Sequence, residues 1–249
     1  MNAPYDGSAP PDRWGAAVRF TDVYKVFRVG DTGIAALAGV DLAIEPGEFV
    51  ALVGPSGSGK STFLGMLAGL DEPDEGEVRW QGRSFATMSA EERRAVHQRG
   101  IGIVFQAYGL LPSLSAVENV ALPLRVRGDV QESRETATAM LERLDLRDRL
   151  EHRTFELSGG QQQRIAVARA LVGQPTVVLA DEPISEVDEV NGERILAALW
   201  EVASHGGAVV VATHDPQALE YATRAVLFRD GRVEAEGDPA DLRASLTTD

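Results

Sequence analysis

The chain has 249 residues, enough for one large domain or two modest ones, and its 44% apolar and 25% charged content is that of a globular protein with a sizeable core. A formal net charge of −14 argues against a broad nucleic-acid footprint, which needs clustered Lys and Arg, and no nucleic-acid partner is expected. There are no cysteines, which excludes disulfides, thiolate metal sites and iron–sulfur clusters.

In chain order, residues 1 to about 15 are rich in Pro, Gly, Ala and Asp, lack periodicity and read as a disordered arm, without the charged and apolar pattern of a secretory signal. Val18–Phe20 and Leu42–Ile44 read as short strands before the turn Glu45-Pro46-Gly47-Glu48. Phe49–Val53 is an apolar run ending at a glycine, as in a buried parallel strand. Helical spacing of Phe63, Leu64, Leu67 and Leu70 follows from Lys60, and stops at Asp71-Glu72-Pro73. From about Glu91 to Arg153 the chain is richer in charge and helix formers, which predicts a mostly helical insertion with a helix over Glu135–Leu146. Strand patterns return at Thr176–Ala180 and Ala208–Thr213, and Val226–Phe228 with Asp230-Gly231-Arg232-Val233 reads as a hairpin. Strands alternating with helices imply an α/β fold with a mainly parallel sheet. No apolar stretch approaches the roughly 20 residues that span a bilayer, so a membrane role requires a partner and a cytosolic location is expected.

Gly54-Pro55-Ser56-Gly57-Ser58-Gly59-Lys60-Ser61 matches G-x-x-x-x-G-K-[ST] at every fixed position, between a strand and a helix. Glycines let successive N–H groups point at phosphate oxygens, and the helix start adds its positive end. These eight residues and the adjoining Thr62 are therefore candidate nucleotide-binding residues, with Lys60 at the β and γ phosphates and Ser61 on Mg²⁺; the loop alone does not distinguish kinases, GTPases and transport ATPases. Val177–Ala180 ends in Asp181 and Glu182. A strand tip beside a phosphate loop suits a Mg²⁺-holding Asp181, and Glu182, facing the other way, suits a general base.

Leu157-Ser158-Gly159-Gly160-Gln161 resembles the signature motif of ABC (ATP-binding cassette) ATPases, and the order Lys60, Gln106, Ser158, Asp181, His214 resembles the order of that family's landmarks. The resemblance covers roughly residues 18 to 237. It implies a P-loop NTPase core, an N-terminal antiparallel β subdomain, and a helical subdomain inserted over about residues 91–160 of a cassette spanning 16–249. It implies ATP and Mg²⁺ as ligands, Gln106 as the Q-loop residue touching Mg²⁺ or the attacking water, and His214 as the switch histidine. It also implies two cassettes facing head to tail, so that Ser158, Gly159, Gly160 and Gln161 close on the partner's nucleotide and Asp188, in the D-loop Ser185–Asp188, lines the interface. Phe27 lies where the family places an aromatic against adenine; Tyr24 is the alternative, and either ring can belong to the core. Ile184 and Val187 depart from the family's usual Thr and Leu. The other three histidines, His97, His152 and His205, read as surface residues.

The function implied is the ATPase subunit of an ABC transporter, resembling the macrolide-efflux, lipoprotein-release and cell-division group. Its expected partners are a second copy and an integral membrane permease, which would hold it on the cytoplasmic face of the membrane; the coupling surface is expected near Tyr108–Leu124, where Leu110, Leu111, Pro112, Leu114 and Leu122 can form an apolar patch or, for most of them, core of the insertion. The alternative is a soluble ABC ATPase acting on DNA or ribosomes.

Overall fold

A computed structural model describes residues 17–30 and 32–246; the arm read over residues 1–15 lies outside them. The chain runs through β1 (Val18–Val29), β2 (Thr32–Ile44), β3 (Phe49–Val53), α1 (Lys60–Leu67), β4 (Glu75–Trp80), β5 (Arg83–Ser84), α2 (Ala90–Ala95) and β6 (Ile101–Val104). It continues through α3 (Ala116–Val126), α4 (Ser133–Arg143), α5 (Gly159–Leu171), β7 (Val177–Asp181), α6 (Glu189–Ser204), β8 (Ala208–Ala212), β9 (Arg224–Arg229), β10 (Arg232–Gly237) and α7 (Pro239–Leu246).

Two sheets form. The antiparallel one has the order β2-β1-β4-β5, and the larger has the order β10-β9-β3-β8-β7-β6, parallel except for β10. Phe49–Val53 and Ala208–Ala212 are buried at every position because both faces of this sheet are covered. Alternation divides the core. Val177, Leu179 and Val210 pack with Phe63, Met66 and Leu67 of α1 and with the antiparallel sheet. Val178, Ala180, Val209 and Val211 pack with Ile165, Ala168, Ile195 and Leu199 of α5 and α6. The same apolar cluster takes in Val117, Val120, Leu141 and Leu144 of the helical region.

The short strands expected near the N-terminus are ends of much longer ones, of 12 and 13 residues. Outside Val18–Phe20 and Leu42–Ile44 their side chains are largely exposed or alternate irregularly, and bulges interrupt their register, so no clean period-2 pattern is written there. The helix expected to reach Leu70 ends at Leu67, and Leu70 is exposed. The region expected to be helical from about Glu91 contains β6, the edge strand of the parallel sheet; the helices α3 and α4 follow it. The helix expected over Glu135–Leu146 is Ser133–Arg143. The expected hairpin is present, with Asp230 (φ 49°) and Gly231 (φ 72°) both left-handed at its tip.

Candidate nucleotide site

Parallel pairing places the C-terminal ends of β3, β8, β7 and β6 along one edge of the sheet, where α/β folds bind ligands. The edge is tied together by main-chain bonds beyond the strands: Thr213 N donates to Leu52 O (3.0 Å) and Glu182 N to Ala212 O (2.8 Å).

The phosphate loop leaves β3 through Gly54, whose φ of 144° only glycine adopts readily; a Cβ there would sit 2.1 Å from Phe228 O. Gly59 (φ 105°) closes the loop at the start of α1, where a Cβ would meet Ala36 O at 2.4 Å. Backbone from β2 and β9 thus moulds the loop. Gly231 N donates to Ser58 O at 2.9 Å and Ala38 N to Gly231 O at 2.9 Å, which adds the hairpin tip to the mould. Lys60 Nζ donates to Gly54 O (2.8 Å) and Pro55 O (3.0 Å), folded over the loop it serves. Burial pushes the Lys60 ammonium below its usual range, opposed by the charges of Glu182 and Asp181. Ser58 is buried, and its hydroxyl is without a protein partner within the loop.

Asp181 ends β7 beside α1 and accepts a hydrogen bond from the Ser61 side chain. Burial raises its carboxyl above the usual range; the Ser61 hydrogen bond lowers it, Glu182 raises it and Lys60 lowers it. Ser61 and Asp181 together offer one hydroxyl and one carboxylate with a charge that burial leaves poorly solvated. That pair fits Mg²⁺, which takes one or two protein oxygens and completes its octahedron with water and phosphate. No group of three or more His, Cys, Asp or Glu able to hold a metal occurs among the described residues.

Glu182 is left-handed (φ 49°), so its side chain leaves the line of the strand. Its Oε2 accepts from Thr213 Oγ1 (2.9 Å) and its Oε1 meets His214 Nδ1 (2.8 Å). The Glu182 side chain is only 13% exposed while that of His214 is 76% exposed, so the carboxylate is braced from a half-open edge. Thr213 went unnoticed in the sequence; its only signal there is its place between a strand end and His214. Its hydroxyl also accepts from Asp215 N (3.0 Å), which fixes the turn that carries the histidine.

The structure therefore brings Lys60, Ser61, Asp181, Glu182 and His214 into one cluster. The signature residues stand apart. Ser158 caps α5 with a reciprocal box: Ser158 Oγ accepts from Gln161 N (3.3 Å), and Gln161 Oε1 accepts from Ser158 N (3.0 Å). Methyl groups placed on Gly159 and Gly160 would meet Glu186, Tyr108 and Val187, whereas the neighbours of the phosphate loop are Ala36, Leu37, Phe228 and Gly231. Asp188 caps α6, accepting from Asn191 N (3.1 Å) and Asn191 Nδ2 (2.6 Å), which lower its carboxyl below the usual range. Gln106 is exposed just past β6. Phe27 is exposed on β1 under the Lys25 ammonium (5.6 Å to the ring centre), while Tyr24 is half-buried with its hydroxyl against Gly39. Ile184 is a buried core residue. Of the histidines read as surface residues, His205 is exposed, but His97 and His152 are half-buried, and His97 Nε2 bonds Ala68 O at 2.8 Å.

The raised Asp181 carboxyl has a consequence with a definite sign. A carboxyl whose folded pKa exceeds its unfolded one stabilises the fold below the unfolded value, and that contribution is lost as pH rises through the folded value. At neutral pH the ionised Asp181 is thus a local cost. Asp181→Asn is expected to hold or raise the melting temperature of the protein alone, while abolishing the extra stabilisation by ATP on adding Mg²⁺. Thermal scans with ATP, with and without Mg²⁺, check both parts; an undiminished Mg²⁺ increment would contradict the assignment.

The model of the ABC transporter family matches residues 37–185. The chain is 43% identical to an uncharacterized ABC transporter ATP-binding protein of Thermotoga maritima, over 87% of this chain and 93% of that one. It is 40% identical to the macrolide export ATP-binding/permease protein MacB of Syntrophobacter fumaroxidans over 88% of its own length, but spans 31% of that protein. Against the MacB of Brucella abortus it spans 36%. Among solved structures, the dimeric post-hydrolysis state of the ATP-binding cassette MJ0796 bound to ADP and Pi superposes with a TM-score of 0.85 at 39% identity, covering 89% of this chain and 98% of that one. Phosphate loop, acidic strand end and signature thus lie on a fold shared with proteins of one kind, and the chain belongs to the ABC transporter family as an ATP-binding, ATP-hydrolysing cassette.

Proposed function

We propose that two copies of this chain close head to tail around two Mg-ATP, each nucleotide held between Lys60 of one copy and Ser158 of the other, and that opening after hydrolysis drives a separate membrane permease. One observation carries this reading. A braced carboxylate, Glu182, stands with Lys60 and Asp181 at the strand ends, while the glycines of the second anion-favouring element, the α5 start at Ser158, face Tyr108, Glu186 and Val187 and those of the phosphate loop face Ala36, Leu37, Phe228 and Gly231. A second copy supplies what one chain keeps apart. The dimeric MJ0796 structures and the joining of ATP-binding and permease parts in MacB support the two partners.

In this reading the loop N–H groups, the α1 start and Lys60 bind the β and γ phosphates, and Ser61 and Asp181, with Gln106, are the residues that would hold Mg²⁺. Bound there, Mg²⁺ neutralises phosphate charge. Glu182 takes a proton from the attacking water as its oxygen bonds to the γ-phosphorus and the bond to the ADP oxygen breaks; His214 orients Glu182 and the γ-phosphate. Phe27 stacks on adenine, and Gly159, Gly160 and Gln161 with Asp188 line the facing surface. The exposed Leu111 and Pro112, beside half-buried Leu110, Leu114 and Leu122, form the permease contact. Among the described residues no helix is long and apolar enough to cross a membrane. In this reading the permease holds the chain at the cytoplasmic face. Macrolide-export-type or related mechanical work is the preferred subgroup.

Lys60→Ala tests the loop. It removes the ammonium folded over the loop carbonyls. ATP affinity in a calorimetric titration is expected to fall by about tenfold or more, since a charged hydrogen bond is worth roughly 1.5–3 kcal/mol; equal affinity would overturn the assignment.

A further inference from the structure

The loop between β7 and α6 carries a carboxylate that hydrolysis does not use. Glu186 is exposed, yet its side chain turns back onto the start of α5. A methyl group placed on Gly159 would lie 2.8 Å from Glu186 Oε2 and 3.2 Å from the Tyr108 hydroxyl oxygen. The Tyr108 hydroxyl hydrogen-bonds the Glu186 carboxylate, and burial and that carboxylate together raise the phenol above its usual range.

Tyr108 is itself held. It is left-handed (φ 57°), as is Gly109 after it (φ 61°). The Arg169 guanidinium, reaching from α5, donates to Tyr108 O (2.7 Å) and Gly109 O (2.6 Å). A brace therefore runs from the body of α5 through Arg169 and Tyr108 to Glu186, and back to the first residue of the same helix.

A helix start attracts anions because its first N–H groups lack intrahelical partners and its dipole ends there. On the dimer reading, the α5 start receives the γ-phosphate carried by the second copy. We infer that Glu186 is a negative gate on dimer closure: the carboxylate that Tyr108 holds over Gly159 stands in the path of the incoming phosphate and sets how readily the two copies close. Each copy already carries a formal charge of −14, which opposes approach in general. Glu186 places one of those charges at the landing point of another anion. This rests on the head-to-tail reading and adds a control that the reading does not contain.

The test uses the full chain carrying Glu182→Gln, with dimer formation in Mg-ATP followed by light scattering against protein concentration, at low and high salt. Adding Glu186→Gln is expected to lower the midpoint for dimerisation by about three- to tenfold at low salt, the size fitting one exposed charge, and the gap is expected to narrow at high salt. Glu186→Ser should shift the midpoint the same way. Glu189→Gln, which removes an exposed acid a few residues along, is expected to leave the midpoint in place. An unshifted or higher midpoint with Glu186→Gln, a gap indifferent to salt, or an equal shift with Glu189→Gln overturns the gate while leaving the dimer reading standing. If the Glu182→Gln chain forms no dimer at any concentration, the dimer reading fails and the gate with it.

Discussion

Glu182→Gln is expected to bind Mg-ATP with near-normal affinity, to lose hydrolysis by about a hundredfold or more, and to accumulate as an ATP-bound dimer. The magnitude follows from the usual worth of a positioned general base, roughly 10²–10⁴ in rate. The geometry predicts that the substitution is quiet structurally. One side-chain oxygen of residue 182 accepts from Thr213 and the other meets His214, and an amide keeps the oxygen for Thr213 and can turn its NH₂ to a histidine acceptor nitrogen. What disappears is the negative charge and the capacity to take a proton. Phosphate release at saturating ATP, with light scattering on the same samples, separates the outcomes. Turnover close to wild type would remove Glu182 from the chemistry, and loss of ATP binding would make it a binding residue instead.

Gly54→Ala is expected to damage both stability and nucleotide binding, and Gly57→Ala far less, although both glycines sit in the same loop with positive φ. The difference lies in what surrounds them. At Gly54 a Cβ would come within 2.1 Å of Phe228 O and 3.1 Å of Ser58 Oγ, so either β9 or the loop must move. At Gly57 a Cβ would meet nothing within 4 Å. Backbone strain of this kind costs about 1–3 kcal/mol where nothing else is disturbed, which is the expectation for Gly57→Ala at its lower end. For Gly54→Ala the clash adds to it, and a fall in melting temperature of about 5–10 °C follows from roughly 2–4 °C per kcal/mol at this chain length. Thermal melts and ATP titrations on the two variants give the comparison. Equal losses would mean that conformational restriction alone, rather than contact with β9, shapes the loop.

The phosphate loop and the acidic strand end were legible because their chemistry is tied to residue type at fixed spacing, and the three central strands because burial on both faces writes an unbroken apolar run. β6 was hidden for the opposite reason. It has four residues, one of them Gly102, chosen for fit rather than strand propensity: a Cβ on it would come within 2.3 Å of Ala170 O in α5. Flanked by the charged helix α2 and the loop that bears Gln106, it leaves no period to read. Contacts made between distant loops were equally out of reach. Nothing in the spacing of Tyr108, Arg169 and Glu186 says that they meet, and Thr213 becomes a partner of Glu182 only because β7 and β8 are neighbours in register. The backbone conformation of Glu182 is likewise a tertiary outcome, since glutamate has no preference for positive φ.

The mould around the phosphate loop is made mostly of main chain, with the Leu37 side chain beside Gly59. Phe228, Ala36 and Gly231 press on it through carbonyl and Cα atoms. A residue that acts through its carbonyl can change its side chain without changing its effect. Position 36, whose own side chain is half-buried, should therefore accept many residue types in a saturation screen for ATP binding, although it is in contact with the site. The sensitive glycines would then stand in a neighbourhood that looks permissive. A reader of such a screen, mapping only intolerant positions, would draw the nucleotide site smaller than it is and would miss the segments that give it its shape.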